Sequence, residues 1–160
     1  MLYFSFVRSK LEYGAVIWCP QFVYLIDTIE SIQKKFLRFL YYKEFGHYNN
    51  VIPYSELLNI FELPSLTKRR KIINLLCLHK LVNGVIDDPE LLSQINFAVP
   101  RRNSRSCLLF SPNFANTNLG YYSPVNNMLR LYNVYSSNVD IFHNSLKLLK
   151  NRLLVVVEIF

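Results

Sequence analysis

Seven prolines divide the 160-residue chain into short segments, and this division limits the folds open to it. Proline lacks a backbone N–H and its ring clashes with the preceding helical turn, so a helix rarely continues through it. Between the prolines, apolar residues recur mainly at spacings of three and four, the period of an amphipathic helix. The sequence therefore predicts a mainly α fold. The prolines are Pro20, Pro53, Pro64, Pro89, Pro100, Pro112 and Pro124.

Two helices are predicted before Pro53. The first runs from Leu2 to Trp18, and Gly14 weakens it. The second is the clearest in the chain, because acids lie at its start, bases lie at its end, and Glu30 precedes Lys34 by one turn. The predicted inner faces are Phe4, Val7, Leu11, Ala15 and Trp18 in the first helix, and Leu25, Ile29, Ile32, Phe36 and Leu40 in the second.

Capping residues bound the helices in the middle of the chain. A short helix is predicted over Tyr54–Phe61, and a longer one runs from its N-cap Ser65 to Val82, before Asn83–Gly84. Asp88 is predicted to cap a brief helix that ends at Leu92. The inner positions of the longer helix are Leu66, Ile73, Leu76 and Leu81.

The last third of the sequence predicts a loop-rich segment. Phe97–Val99 and Cys107–Phe110 are predicted as two short strands, a possible β-hairpin, on either side of a basic loop. Residues 111–123 are rich in Asn, Pro, Gly and Tyr and predict a loop. Two helices follow, over Pro124–Asn133 and Asn138–Leu153. We therefore expect a small helical bundle over residues 1–94 and a loop-rich segment with two helices over 95–160.

Composition narrows the class of protein. A chain with 51% hydrophobic and 18% charged residues is globular rather than disordered. Its apolar runs stay well below the roughly 18 residues of a membrane-spanning helix, so no membrane partner is expected. Cys19, Cys77 and Cys107 are too few and too distant for a disulfide framework. Free thiols and an intracellular setting, cytoplasmic or nuclear, are the expectation.

Motifs for metal, cofactor or nucleophilic chemistry are not found in the sequence. Cys77 and His79 diverge on a helix, so a buried thiol and a partly exposed imidazole are expected in place of metal ligands. The four glycines form no phosphate-binding loop, and no cofactor is expected. Asp87–Asp88 loosely resembles the paired aspartates that hold metal ions in polymerases, but the adjacent Asn83–Gly84 and Pro89 favour a turn and a cap.

The net charge of +7 is concentrated in the middle of the chain. Residues 65–110 hold eight Lys or Arg against three Asp or Glu, net +5, whereas residues 1–64 hold six of each. Lys68, Arg69, Arg70 and Lys71 fill the first turns of a helix, where cations are unfavourable, and no acid between residues 63 and 86 neutralises them. Phosphate contact, aided by the helix N-terminus, and a solvated helical face explain this run about equally well.

Two further cationic clusters and several tyrosines are candidate nucleic-acid contacts. In Arg101, Arg102 and Arg105, the repeated choice of arginine favours bidentate phosphate contact. For Lys34, Lys35 and Arg38, nearby acids favour a solvated helical face. Tyrosine rings stack on bases in some proteins, but an aromatic content of 15% favours core positions for most of them. These tyrosines are Tyr41, Tyr42, Tyr48, Tyr121 and Tyr122.

A series of short motifs runs in order from about residue 2 to residue 153. It comprises Leu2-Tyr3, Val7-Arg8-Ser9-x-Leu11-Glu12-Tyr13-Gly14, Ile17-Trp18-x-Pro20, Ile29-x-x-Ile32-Gln33-x-x-Phe36-Leu37-Arg38, Arg69-Arg70, Leu81-x-Asn83-Gly84-x-Ile86-Asp87, Val99-Pro100-Arg101-Arg102, Thr117-Asn118-x-Gly120, Ser123-Pro124, Arg130-x-Tyr132-Asn133 and Asp140-Ile141-Phe142. The series resembles the region after the polymerase palm in reverse transcriptases of jockey-like non-LTR retrotransposons.

This resemblance implies a thumb and a post-thumb segment, the part of an RNA-directed DNA polymerase that grips an RNA–DNA hybrid or duplex template–primer. The palm with its catalytic aspartates and the fingers are the implied partners within the parent polymerase, and their motifs are absent from this sequence. The chain is therefore not expected to be an enzyme on its own. An inert remnant and a helical protein–protein interaction module are the alternatives.

Overall fold

The computed structural model describes residues 3–46, 52–99 and 108–157, and it is mainly helical over these ranges, which confirms the predicted fold class. A π-helical turn, Tyr3–Arg8, comes first. The α-helices are α1 (Ser9–Glu12), α2 (Val23–Phe45), α3 (Tyr54–Ile60), α4 (Leu66–Val82), α5 (Pro89–Ser93), α6 (Asn118–Tyr121), α7 (Pro124–Tyr135) and α8 (Leu146–Val156).

The chain forms two compact units. The first comprises Met1–Ala15 and Cys19–Arg70, and the second comprises Val16–Trp18 and Lys71–Phe160. The boundary between the two units therefore falls within α4, between Arg70 and Lys71. The division expected after residue 94, between a helical bundle and a loop-rich segment, stays a prediction.

The first unit packs the π-helical turn and the start of α4 on α2. The Tyr3 ring stacks on Phe36 with centroids 3.8 Å apart, and the Tyr3 hydroxyl donates to Gln33 Oε1 over 3.2 Å. Gln33 Nε2 donates in turn to the Pro64 carbonyl over 3.1 Å. Because both ends of this amide are bonded, a polar side chain occupies the buried face of α2 beside Leu37.

The first predicted helix is wrong in its length and in most of its inner face, of which Ala15 alone is buried. The π-helical turn gives way to a single α-turn that ends at Glu12, and Gly14 follows with φ of +64°. A left-handed residue ends a helix, and glycine adopts this conformation without steric cost. In a π-helix the 3.6-residue spacing no longer aligns side chains, so Phe4 is exposed and Tyr3 is buried.

The second predicted helix is confirmed as α2, but its predicted inner face is wrong. Leu25 and Ile32 are exposed, and the buried side chains are Gln33 and Leu37, about one position further round the helix. The helix α2 carries aromatic and aliphatic residues on most of its faces, so periodicity alone did not identify the buried face.

The boundaries of α4 are those predicted from its capping residues. Ser65 Oγ accepts a hydrogen bond from the Lys68 amide over 3.1 Å, as an N-cap does. At the other end, Gly84 has φ of +68° and the Val85 amide donates to the Lys80 carbonyl over 2.8 Å. The helix buries Leu66, Ile72, Leu75, Leu78 and Leu81, whereas the predicted inner residues Ile73 and Leu76 are half-buried.

The second unit encloses an apolar core supplied by α4, α7 and α8. The Phe110 ring is fully buried and meets the Tyr132 ring edge-on at 5.2 Å. The buried residues of this core are Ile72, Leu75, Leu78, Leu81, Ile95, Phe110, Val125, Met128, Leu129, Tyr132, Tyr135, Val139, Ile141, Leu149, Leu153 and Val157.

Several polar motif residues hold the loops of the second unit in place. Asn133 exchanges two hydrogen bonds with the backbone of Phe110, and the Tyr132 hydroxyl donates to the Val139 carbonyl. Asn83 Nδ2 donates to the Ile141 carbonyl over 3.0 Å. Buried backbone groups outside helices need such partners, so the polar motif residues have structural roles in this unit.

Three predictions for the last third are corrected. In the described ranges the predicted hairpin is reduced to one antiparallel bridge between Phe97 and Phe110, and the residues just before Leu108 lie outside those ranges. The last helix begins at Leu146, with Ser145 as its N-cap, because residues 138–145 form a turn-rich loop. Phe142 is consequently exposed and does not extend the buried stripe of Leu149 and Leu153. Within the predicted loop 111–123, the four residues of α6 are helical.

None of the described helices combines the length and the apolar character that crossing a membrane requires.

Candidate nucleic-acid interface

The basic run at the start of α4 is largely built into the fold. Lys68 is 9% exposed and Arg70 is 3% exposed, while Arg69 and Lys71 are half-buried. A solvated helical face would leave all four side chains in water, whereas the structure buries two of them and leaves the other two partly exposed. Phosphate contact by the four residues stays a prediction.

Arg69 is held by Glu12, a residue 57 positions earlier in the chain. Its Nε and Nη2 both donate to the Glu12 carboxylate, with 2.8 Å between Nη2 and Oε2. Arg8 Nε donates to the same carboxylate over 3.0 Å. Burial alone would raise the pKa of the Glu12 carboxyl, but the two guanidinium groups outweigh it and hold this pKa below its usual range. Two arginines thus share one carboxylate.

Arg70 is turned inward in the first unit. Its Nη2 donates to the Leu11 carbonyl over 2.7 Å, which supplies a partner to a backbone group near the end of α1. Burial lowers the pKa of the guanidinium, although Cys19, Glu30 and Glu12 oppose this effect. A phosphate contact at Arg70 would have to break this arrangement.

The N-terminus of α4 already holds an anionic group. Glu30 Oε1 accepts hydrogen bonds from the Thr67 amide over 2.7 Å and from the Thr67 hydroxyl over 2.8 Å. Glu30 Oε2 accepts a hydrogen bond from the Tyr54 hydroxyl over 2.5 Å. The carboxylate therefore lies where the helix dipole would otherwise attract a phosphate, and it joins α2, α3 and α4.

Two predicted cationic clusters remain, one on α2 and one in the predicted basic loop of the last third. On α2, Lys35 is exposed, and Lys34 and Arg38 are half-buried. Arg101, Arg102 and Arg105 lie outside the described residues. Contact of these groups with nucleic acid stays a prediction.

The predicted stacking tyrosines have different surroundings. The Arg130 guanidinium lies 3.5 Å from the centroid of the Tyr121 ring and also donates to the Tyr121 carbonyl, so one face of this exposed ring is covered. Tyr122 meets Tyr121 edge-on and is likewise exposed. Tyr41 is half-buried against Phe45, and Tyr42 is exposed. Tyr48 lies outside the described residues.

The His, Cys and Asp residues that could bind a metal contribute to the fold instead. Asp88 Oδ1 accepts from the Leu91 amide over 3.1 Å, which confirms the predicted cap. His79 is buried, contrary to the predicted partial exposure, and its Nε2 lies 2.9 Å from the Asn144 carbonyl oxygen. Burial raises the pKa of the half-buried Cys77 thiol. Over residues 3–46, 52–99 and 108–157, no group of three or more His, Cys, Asp or Glu side chains has a metal-binding arrangement.

Sequence reasoning missed two acids that meet the start of α4: Glu12, which pairs with Arg69, and Glu30, which accepts hydrogen bonds from Thr67. The Arg8–Glu12 spacing of four residues indicates a local ion pair. The pairing of Glu12 with Arg69 and of Glu30 with the start of α4 leaves no comparable pattern in the sequence, because both depend on how the chain folds back.

Comparisons of this chain with protein-family models, with curated proteins and with solved structures gave no match.

Proposed function

We propose that this chain is the thumb and post-thumb part of a jockey-like non-LTR retrotransposon reverse transcriptase. In this role it grips an RNA–DNA hybrid or duplex template–primer through backbone phosphates, and the palm of the parent polymerase performs the chemistry. Contact with phosphates requires no reading of base sequence.

The ordered series of motifs over residues 2–153 carries this proposal, and the excess of positive charge supports it. Residues 65–110 alone hold a net charge of +5. The mainly helical fold is compatible with a helical thumb, although many unrelated proteins share this architecture. Asn83, Gly84 and Asn133 stabilise loops and a helix end, so these motif residues bear on the fold more than on binding.

Accessible cations are the first groups to test, because replacing buried ones would disturb the fold. Lys35 is exposed and Lys71 is half-buried, whereas Lys68 and Arg70 are buried. Changing Lys35 and Lys71 together to Gln removes two charges and leaves the Arg70 contact with Leu11 in place. Lys147→Gln with Lys150→Gln is the matched control, since both lysines are exposed on α8.

The assay measures the affinity for an RNA–DNA hybrid duplex over a series of salt concentrations. Each neutralised phosphate contributes a slope of roughly −0.9 in log K against log salt on B-DNA, and a similar value is expected for a hybrid. The Lys35/Lys71 variant should flatten the slope by about two units, and the α8 variant should flatten it less. A flat slope in the unaltered chain would refute the proposal, and equal effects of the two variants would refute a role of Lys35 and Lys71 in the grip.

A second candidate, an inert remnant or a helical protein-binding module, is favoured by the exposed apolar side chains of the first unit. Tyr13 is 81% exposed, and Phe22, Val23 and Tyr24 are also exposed next to one another. Exposed apolar clusters on a soluble protein often mark a surface that a partner covers. Broad, non-cooperative unfolding without nucleic-acid binding would identify a remnant. Binding to protein that survives high salt would identify an interaction module.

A further inference from the structure

Arg8 and Arg69 of the first unit converge on the Glu12 carboxylate. Arg69 donates to this carboxylate through both Nε and Nη2, and Arg8 donates to it through Nε. The three side chains carry a net charge of +1. This cluster, Arg8–Glu12–Arg69, is called the arginine clamp below.

The arginine clamp has the geometry of an oxyanion site. A guanidinium fork matches the paired oxygens of a carboxylate and those of a phosphate about equally well, which makes arginine the common ligand for both. The Arg8 guanidinium also lies 5.2 Å from the centroid of the exposed Phe4 ring, so an aromatic surface borders the clamp. A phosphate in place of the carboxylate would retain the same donors.

The carboxylate is the part of the clamp with the weakest local support. Glu12 is the last residue of a four-residue α-turn and is followed by the left-handed Gly14. Arg69, in contrast, lies in the 17-residue α4. The side chains of Arg69 and Glu12 are 28% and 15% exposed, so water reaches the pair. The pair is thus neither fully exposed nor fully enclosed, and an incoming anion can approach the guanidinium from the side on which Arg69 meets solvent.

We propose that the arginine clamp is a phosphate-binding site that Glu12 occupies as an internal competitor. A phosphate group, from a nucleic-acid backbone or free in solution, takes the place of the Glu12 carboxylate between Arg8 and Arg69. The inference rests on the proposed nucleic-acid function where the phosphate belongs to a backbone, and it identifies Arg69 as a phosphate contact that is masked in the unliganded chain.

The test compares Glu12→Gln with Glu56→Gln. Both changes remove one negative charge from the first unit, but Glu56 is an exposed residue of α3. The difference between the variants therefore reports the release of the two arginines and not the change in net charge. Affinities for an RNA–DNA hybrid duplex and for inorganic pyrophosphate are measured on the full chain over a series of salt concentrations.

Glu12→Gln should bind one of these ligands about tenfold more tightly than Glu56→Gln at 0.1 M salt, with a duplex slope steeper by roughly one unit. A gain for the duplex identifies backbone phosphate, and a gain for pyrophosphate alone identifies a free phosphate ligand. Equal affinities of the two variants would overturn the inference, and the proposed function would stand if the unaltered chain still bound duplex. If neither the unaltered chain nor either variant bound the duplex, the proposed function would be overturned. If Glu12→Gln in addition bound pyrophosphate no more tightly than Glu56→Gln, the inference would be overturned as well.

A second variant covers the case in which Glu12→Gln does not fold. Glu12→Asp keeps the charge and shortens the side chain by one methylene, which loosens its contact with Arg69. Far-UV circular dichroism of each variant establishes the fold before binding is measured. A gain in affinity for Glu12→Asp over Glu56→Asp supports the inference, and no gain contradicts it.

Discussion

Glu30 should be the most important single acid for the stability of the first unit. Its carboxylate accepts three hydrogen bonds, one from the Tyr54 hydroxyl and two from Thr67, and so it connects α2, α3 and α4. Glu30→Ala removes both acceptor oxygens and with them all three hydrogen bonds. The Thr67 amide then loses its partner at the N-terminus of α4, where no intrahelical acceptor exists.

The expected loss of stability follows from these contacts. A hydrogen bond to a charged group contributes about 1.5–3 kcal/mol. Glu30 is half-buried, and the two bonds from Thr67 share one oxygen, so water compensates part of the loss. We expect Glu30→Ala to lower the free energy of unfolding of the first unit by about 2–4 kcal/mol. Tyr54→Phe, which removes one donor, should cost about 1–2 kcal/mol.

Hydrogen exchange measured by mass spectrometry resolves this effect by segment. A loss of 2–4 kcal/mol corresponds to exchange roughly 30 to 700 times faster in the peptides of α3 and the start of α4. Glu56→Ala is the control, because Glu56 is exposed on α3. If Glu30→Ala accelerated exchange no more than Glu56→Ala, the assignment of Glu30 as the connecting acid would be refuted.

Three further predictions concern the core, a helix end and alkaline pH. Phe110→Ala should destabilise the second unit by about 3–5 kcal/mol, because the ring is fully buried, whereas Phe114→Ala should have almost no effect, because that ring is 92% exposed; urea unfolding followed by circular dichroism measures both, and similar losses would contradict the described core. Gly84→Ala should cost roughly 1–2 kcal/mol in the same assay, since φ is +68° there, and an unchanged midpoint would show that this left-handed residue is not required. Burial and the hydrogen bond to Glu30 raise the pKa of Tyr54, so the fold favours its neutral form; this stabilisation is complete below the unfolded pKa of about 10 and is lost as the pH rises further. Stability measured at about pH 9 and pH 11 should therefore fall less in Tyr54→Phe than in the unaltered chain, and equal falls would contradict a role for Tyr54.

Features that depend on neighbouring residues were predictable from the sequence. Ser65 caps α4, Asp88 caps α5, and Gly84 lies beyond the end of α4, because each satisfies or ends a helix through contacts within about five positions. The existence of α2 and the mainly α class followed from periodicity for the same reason. Local geometry is sufficient for these features, since the interacting groups are covalently close.

The tertiary structure alone decided which faces are buried and which charges are paired. Gln33 is buried in α2 because Tyr3 and the Pro64 carbonyl supply its hydrogen bonds, and both lie about 30 positions away in the chain. Glu12 likewise neutralises Arg69 across 57 positions. In the sequence, the run from Lys68 to Lys71 has no nearby acid, so a free cationic surface and a run with distant partners are indistinguishable there. Only folding brings the carboxylates to the guanidinium groups, because attraction between charges depends on their separation in space and not along the chain.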